Sequence, residues 1–463
     1  MRAIAVVAAW GGQHPAWAGE ALASIEGQRP AADERVLVID HPHGLDLLSR
    51  LPRDPRNHGW TVLHGDWRDP GQARNLGLSR TTSRWVVFFD ADNLMAPGHL
   101  DAVGRAVRSA LPRVGVVYHD IRYVTADLGD SGLWRVPDYD YWSLRASNFI
   151  DTSSAWRREA VELAGGWPVG CGSFEDYALA LAVTRRGWVA QRRDGPPVTM
   201  RQHDHSRSHT RVRTGDRRTD LWRTRTLGIV SLLAGRHSTF GRWAEFLTHA
   251  ELPPHTSLYV IDNSGDPEFG TLVRSTCERL AVDRRLDHLT VLPRPHRYGG
   301  APDEPYFVRE RHLHIARLYS EVMPTIREDL VLTLEDDVEP PLDAVRRLGE
   351  QIGCTPWGRY AAVAGAYDMG ADGGLCAGRA DGGWGSPIHW RDLGDGPMDV
   401  GSVGGGCTMW ANWALVEQPI PFMWYDGLGW DGSLCNRLRQ NGFGIQLHGG
   451  VRCTHHVHGA IRS

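Results

Sequence analysis

Asp90-Ala91-Asp92 places two carboxylates one residue apart directly after an apolar run, and Glu175-Asp176 opens a helical pattern 84 residues beyond Asp92. A polar stretch, Arg201-Gln202-His203-Asp204-His205-Ser206-Arg207, follows, with His203 27 residues after Asp176. Two carboxylates aimed from one strand end suit a hard divalent cation, which prefers oxygen ligands and bridges to phosphate oxygens. Taken alone, such a pair also starts turns and caps helices, and so does an acid at a helix start. One acid suffices to cap, however, and the imidazoles and arginines downstream are suited to complete a metal shell and to hold phosphate.

These residues need elements to aim them. Ile4–Ala9 is an apolar run followed by a Gly-Gly turn and a helical pattern that ends near Gly27. Arg35–Ile39 runs into Asp40, and Arg84–Phe89 runs into Asp90. Short apolar runs ending in acids read as buried parallel strands, whose carboxyl ends carry the ligand site in open α/β sheets. Position therefore makes Asp40, Asp90 and Asp92 candidates for chemistry.

Composition excludes several classes. The chain has 463 residues, 41% hydrophobic and 23% charged, which is enough for two domains with full cores. Its formal charge of −4 gives no overall attraction to nucleic acid or membrane. Lysine is absent, so a Walker lysine and a Schiff-base lysine are excluded and arginine carries the cationic work. Seven cysteines without a CxxC pair fit neither a zinc-thiolate site nor a disulfide framework, and a reducing, cytoplasmic setting is expected. The short apolar start reads as a first strand, and no run of about 18 apolar residues exists to span a membrane.

The ordered set of Asp40, Gly71-Gln72-Ala73-Arg74-Asn75-Leu76-Gly77, Phe88-Phe89-Asp90-Ala91-Asp92, Gly165-Gly166-Trp167, Glu175-Asp176 and His203 resembles the inverting family-2 glycosyltransferases of the GT-A fold. The resemblance covers residues 1 to about 210. It implies that Asp40 accepts a hydrogen bond from the donor's nucleobase, that Arg74 and Asp90 serve the donor, that Asp92 and His203 hold the metal, and that Asp176 is the general base. It also implies an Mn²⁺ or Mg²⁺ ion in each active domain, and a nucleotide-sugar donor with UDP favoured.

The second half repeats the order. Leu227–Leu233 precedes a helix, Ser257–Ile261 ends at Asp262, and Leu330–Leu334 runs into Glu335-Asp336-Asp337. Gly404-Gly405-Gly406, a helix opening at Trp430-Asp431, and Thr454-His455-His456 follow. Asp337 to Asp431 spans 94 residues and Asp431 to His455 spans 24, against 84 and 27 in the first half, a difference within loop variation. The expected fold is thus α/β, with two tandem GT-A domains that are Rossmann-like, with mostly parallel sheets and flanking helices. Their bounds are 1–212 and 226–463, joined by an Arg-rich linker at 213–225. Asp262 and Asp336 would serve the second donor, Asp337 and His455 the second metal, and Asp431 would be the second base. The second copy departs in having Glu335 and, in place of Glu175, Trp430.

The expected function is a bifunctional transferase moving sugars with inversion to an acceptor hydroxyl on a glycan, small molecule, protein or modified nucleic-acid base. Three alternatives stand beside it: one active N-terminal site with a degenerate acceptor-binding second domain, a sugar nucleotidyltransferase, and a non-catalytic carbohydrate-binding protein. Residues 207–225 hold seven arginines against Asp216 and Asp220, as a solvated linker, a lid, or a contact for an anionic acceptor. The Gly-rich stretch Gly370–Gly396 is read as a loop whose Trp384 and Trp390 either face a sugar or pack on the domain.

Overall fold

The computed structural model describes residues 3–171, 174–203, 222–296, 305–353, 359–369, 374–379, 383–416, 429–457 and 460–462. The chain forms two compact units, Met1–Asp220 and Leu221–Ser463.

In the first unit the central sheet contains β1 (Ile4–Trp10), β2 (Glu34–Asp40), β3 (Thr61–Gly65), β4 (Trp85–Asp90), β5 (Val114–Tyr118), β6 (Ala155–Arg157) and β7 (Val189–Arg192) in the spatial order β3-β2-β1-β4-β6-β5-β7. Strands β1 to β4 are parallel, β6 runs antiparallel to β4 and β5, and β7 is parallel to β5. β1 is nearly all apolar because both faces of a parallel sheet are covered, and its core includes Val6, Ala8, Leu37, Val87 and Phe89. The shared direction of β2 and β4 brings Asp40 and Asp90 to one edge of the sheet.

The second unit uses β8 (Thr226–Leu233), β9 (His255–Asp262), β10 (His288–Pro293), β11 (Leu330–Leu334), β12 (Tyr360–Ala366), β13 (Pro397–Val400), β14 (Cys407–Ala411) and β15 (Gly444–Arg452). Their order is β10-β9-β8-β11-β14-β12-β15-β13. The first seven positions repeat the first sheet in order and in direction, with antiparallel β14 where β6 lies, and β13 is added at the edge.

A second device recurs. In the first unit the two-residue strand Leu94–Met95, just after the acid pair, runs antiparallel to Val198–Arg201, which leads to His203. In the second, Val338–Glu339 pairs antiparallel with Thr454–Val457, with Val338 opposite His455. A short strand after the acids thus brings a histidine from late in each unit back to them.

Three sequence expectations change. Trp222 and Arg225, assigned to a linker, are buried in the second unit, where the Trp222 ring fills the space beside Gly349. The stretch read as a Gly-rich loop contains the antiparallel strands Gly374–Arg379 and Gly383–His389. Trp390 packs against the core and donates its indole N–H to Asp368 Oδ1 at 2.8 Å, so it is a packing residue; the Trp384 side chain lies outside the described residues. Arg207, Arg211, Arg213, Arg217 and Arg218 also lie outside them.

Candidate active sites

The helix Pro70–Ser79 positions much of the first site. Asp69 caps it, accepting from Gln72 N, with Pro70 at its first turn. Gly71 lies so close to Pro168 that a Cβ there would sit 2.1 Å from the Pro168 carbonyl oxygen, and one on Gly77 would sit 2.2 Å from Val7 Cγ1. Both glycines let the helix press against its neighbours. Asn75 clamps the Gly165-Gly166-Trp167 turn, accepting from Trp167 N at 2.8 Å and donating to Trp167 O at 2.9 Å. Gly165 and Gly166 have φ of +94° and +86°, which glycine adopts without strain.

Arg74 points inward from the same helix and is 2% exposed. It donates to Asp90 Oδ1 at 2.7 Å and to Glu175 Oε1 at 2.9 Å, and its guanidinium lies 4.5 Å from the centre of the Trp167 ring. The two carboxylates and the aromatic face hold Arg74 charged, so it orders the strand-end acid and the opening of helix Glu175–Arg185 together. Asp176 stands one residue on, accepting from Tyr177 N at 2.7 Å and from Asn148 Nδ2 at 3.4 Å. Burial, reinforced by the Glu175 charge, pushes its carboxyl up to about 8.

Asp92 and His203 meet, with His203 Nε2 at 3.3 Å from Asp92 Oδ2. His203 is wedged edge-on near His14 and Trp17, with ring centres 5.4 and 5.0 Å away. Asp40 has a structural engagement that the sequence did not show. Its carboxylate accepts from the backbone N–H groups of Trp67, Arg68 and Asp69 at 2.7, 3.1 and 2.9 Å, fixing the turn that leads into helix Pro70–Ser79.

The second site gathers Glu335, Asp336, Asp337 and Asp431 with Arg236. Arg236 Nη1 donates to Asp336 Oδ1 at 3.0 Å and to Asp337 Oδ2. Burial first, then the Asp337 and Asp431 charges, push the Glu335 carboxyl up to about 8. Burial likewise pushes Asp336 up to about 6, against the pull of Arg236, and raises Asp431. Asp431 accepts from Gly405 N at 2.9 Å and Gly432 N at 2.8 Å, and the space a Gly405 side chain would need is filled by the Trp430 ring.

His455 Nδ1 lies 2.7 Å from the Asp368 carbonyl oxygen. A carbonyl only accepts, so Nδ1 donates to it and Nε2 faces Asp337 Oδ2, 3.9 Å away. Asp262, at the end of β9, lines a cleft of about 350 Å³ together with Asp266, Gly270, Arg274 and Pro293. Trp430, where the first unit has Glu175, packs on Tyr319 with ring centres 4.3 Å apart.

Residues 6–161 match the family model of glycosyl transferase family 2. The match lies within the first unit, and Arg74, Asp90 and Asp92 fall inside it. Among solved structures the chain is similar to S. aureus TarS 1-349 in complex with UDP-GlcNAc, at 15% identity over 48% of this chain and 65% of that one, with a TM-score of 0.38. It is also similar to the mannosyltransferase PcManGT from Pyrobaculum calidifontis in complex with GDP-Man and Mn²⁺, at 21% identity over 48% of this chain and 63% of that one, with a TM-score of 0.36. The chain thus spans less than two thirds of either structure. No curated protein matches it.

The first and second units each bring together the acid and histidine read from the sequence: Asp92 with His203, and Asp337 with His455. Among the described residues, no group of three or more His, Cys, Asp or Glu side chains gathers to hold a metal ion. Arg236 and Asn75 were missed by sequence reasoning. The available signal for Arg236 was its place between a first strand and the following helix, where it is the N-cap residue of His237–His249 as His14 is of Pro15–Glu26.

Proposed function

We propose that the chain is a metal-dependent, inverting glycosyltransferase with one site in each unit, the two acting in sequence on an acceptor hydroxyl. The observation that carries this reading is the shared construction: two sheets of matching order, each ending in strand-end acids faced by a histidine returned from late in the unit. The residues fit a divalent ion. Two ligand atoms on adjacent corners of an octahedron with bonds of about 2.1 Å stand about 3.0 Å apart, and the Asp92–His203 separation is 3.3 Å. In the second site Asp336 Oδ2 and Asp337 Oδ1 are buried without a hydrogen-bond partner among the described residues. Asp92 with His203, and Asp337 with His455, would hold the ion, and a hard divalent cation such as Mg²⁺ or Mn²⁺ would suit oxygen-rich surroundings.

The chemistry supplied there by a bound ion is neutralisation of the departing nucleoside diphosphate. Asp176 and Asp431 take the proton from the acceptor oxygen as it attacks the anomeric carbon on the face opposite the leaving group, which inverts the centre. Arg74 keeps Asp90 and the opening of helix Glu175–Arg185 in fixed relation, so that base and donor keep their alignment. Asp262 and its cleft suit the nucleobase end of the second donor, with UDP-sugars favoured.

Among the described residues no helix is long and apolar enough to cross a membrane; Cys277, Cys376, Cys407, Cys435 and Cys453 are free thiols, which supports a reducing setting. Incubation with a panel of nucleotide sugars and Mn²⁺ should release nucleoside diphosphate from at least one donor, and EDTA should abolish that release. Equal release with EDTA and with Mn²⁺ would remove the metal from the account.

A further inference from the structure

We propose that Arg236 is a displaceable counter-charge of the second site: its guanidinium holds Asp336 and Asp337 before metal enters, then turns to the donor's diphosphate. The inference rests on the reading of Asp337 and His455 as metal ligands.

Three observations carry it. First, the Arg236 contact is incomplete. One nitrogen, Nη1, serves both Asp336 Oδ1 and Asp337 Oδ2, leaving Asp336 Oδ2 and Asp337 Oδ1 buried without partners among the described residues. Arg236 faces Glu335, Asp336 and Asp337, and the two buried oxygens it leaves without partners among the described residues are ones a divalent ion would answer better. Second, Arg236 contacts the same Asp337 oxygen that His455 Nε2 faces, so an ion shared by that pair competes directly with the guanidinium. Third, Arg236 is free to leave. Its side chain is 34% exposed and it stands at a helix N-cap, whereas Arg74 of the first site is 2% exposed and locked between Asp90 and Glu175. Once displaced, a guanidinium beside the metal-holding acids is suited to pair with phosphate oxygens in a forked contact. The two sites thus use arginine differently: as a fixed brace in the first, and as an exchangeable partner in the second.

The test uses the full-length chain with Asp92→Asn and His203→Ala, so that metal binding reports the second site. Mn²⁺ binding is followed by the loss of the free-ion electron paramagnetic resonance signal, alone and with inorganic pyrophosphate. In that background Asp337→Asn should abolish Mn²⁺ binding; if it does not, the metal reading of the second site fails. With that reading intact, Arg236→Gln should bind Mn²⁺ alone roughly tenfold more tightly, because its competitor is gone, and should bind pyrophosphate in the presence of Mn²⁺ roughly tenfold more weakly. Arg236→Lys, which keeps the charge, should restore part of both effects. Unchanged or weaker Mn²⁺ binding by Arg236→Gln, or unchanged pyrophosphate affinity, would overturn the proposal.

Discussion

Asp176 has the two properties that proton abstraction asks of a side chain. It stands at the mouth of a helix beside the strand-end acids, and burial with the neighbouring Glu175 charge moves its carboxyl up to about 8, near working pH, where a base is most effective. Asp176→Asn keeps the shape and removes the proton acceptor, so turnover by the first unit should fall about 10²- to 10⁴-fold while the circular dichroism spectrum stays that of the native chain. Only the ionised carboxylate accepts a proton, so first-unit turnover in an Asp431→Asn background should rise with pH and level off above about 8. A flat profile from pH 6 to 9 would contradict the assignment. The acids and histidines of both sites were legible because strand-end position and order in the chain mark them. Arg236 was not, since it is a lone cation in a turn whose partners Asp336 and Asp337 lie about a hundred residues away. Asp40 was legible as a site-edge residue, but its hold on the 67–69 backbone was not, because that turn leaves no mark in the sequence.

At the scale of elements, the helix Pro70–Ser79 is placed by backbone contact as much as by side chains. Gly71→Ala drives a methyl group into the Pro168 carbonyl and should cost about 1–3 kcal/mol in the unfolding transition of the first unit, with activity falling as Arg74 shifts. Gly241→Ala supplies the contrast. It lies exposed in the helix His237–His249 with nothing within 4 Å of the new methyl group, and should stabilise the second unit by up to about 1 kcal/mol. Urea denaturation of both variants checks the pair, and equal effects would refute the contact argument. The parallel strands ending in Asp40, Asp90 and Asp262 could be read from apolar runs that stop at acids. The insertion of antiparallel β6 and β14 into the sheets could not, because periodicity reports that a segment is a strand and not which strands flank it. The segment Gly374–His389 failed as a loop for a related reason: glycine marks backbone freedom, and here Gly374 and Gly378 sit in register with His389 and Pro387 across a hairpin.

For the whole molecule, two units repeat one sheet order but charge their sites differently. The first has a buried Arg74 bridging Asp90 and Glu175; the second has Trp430 packed on Tyr319 and a partly exposed Arg236 beside Asp336 and Asp337. The repeated order of strands and strand-end acids was legible from the spacing of acids and histidines, whereas this divergence was visible as Glu335 and the replacement of Glu175 by Trp430. The central claim is that both units transfer. Its most direct test is nucleoside diphosphate release from each nucleotide sugar of the panel by the wild-type chain, Asp176→Asn, Asp431→Asn and the double variant. The account predicts that each single variant loses about 10²-fold or more of the release attributable to one unit while the other unit's release persists, and that the double variant loses both. Asp431→Asn matching the wild-type chain in rate and product for every donor would contradict it, and would leave the second unit as a binding module.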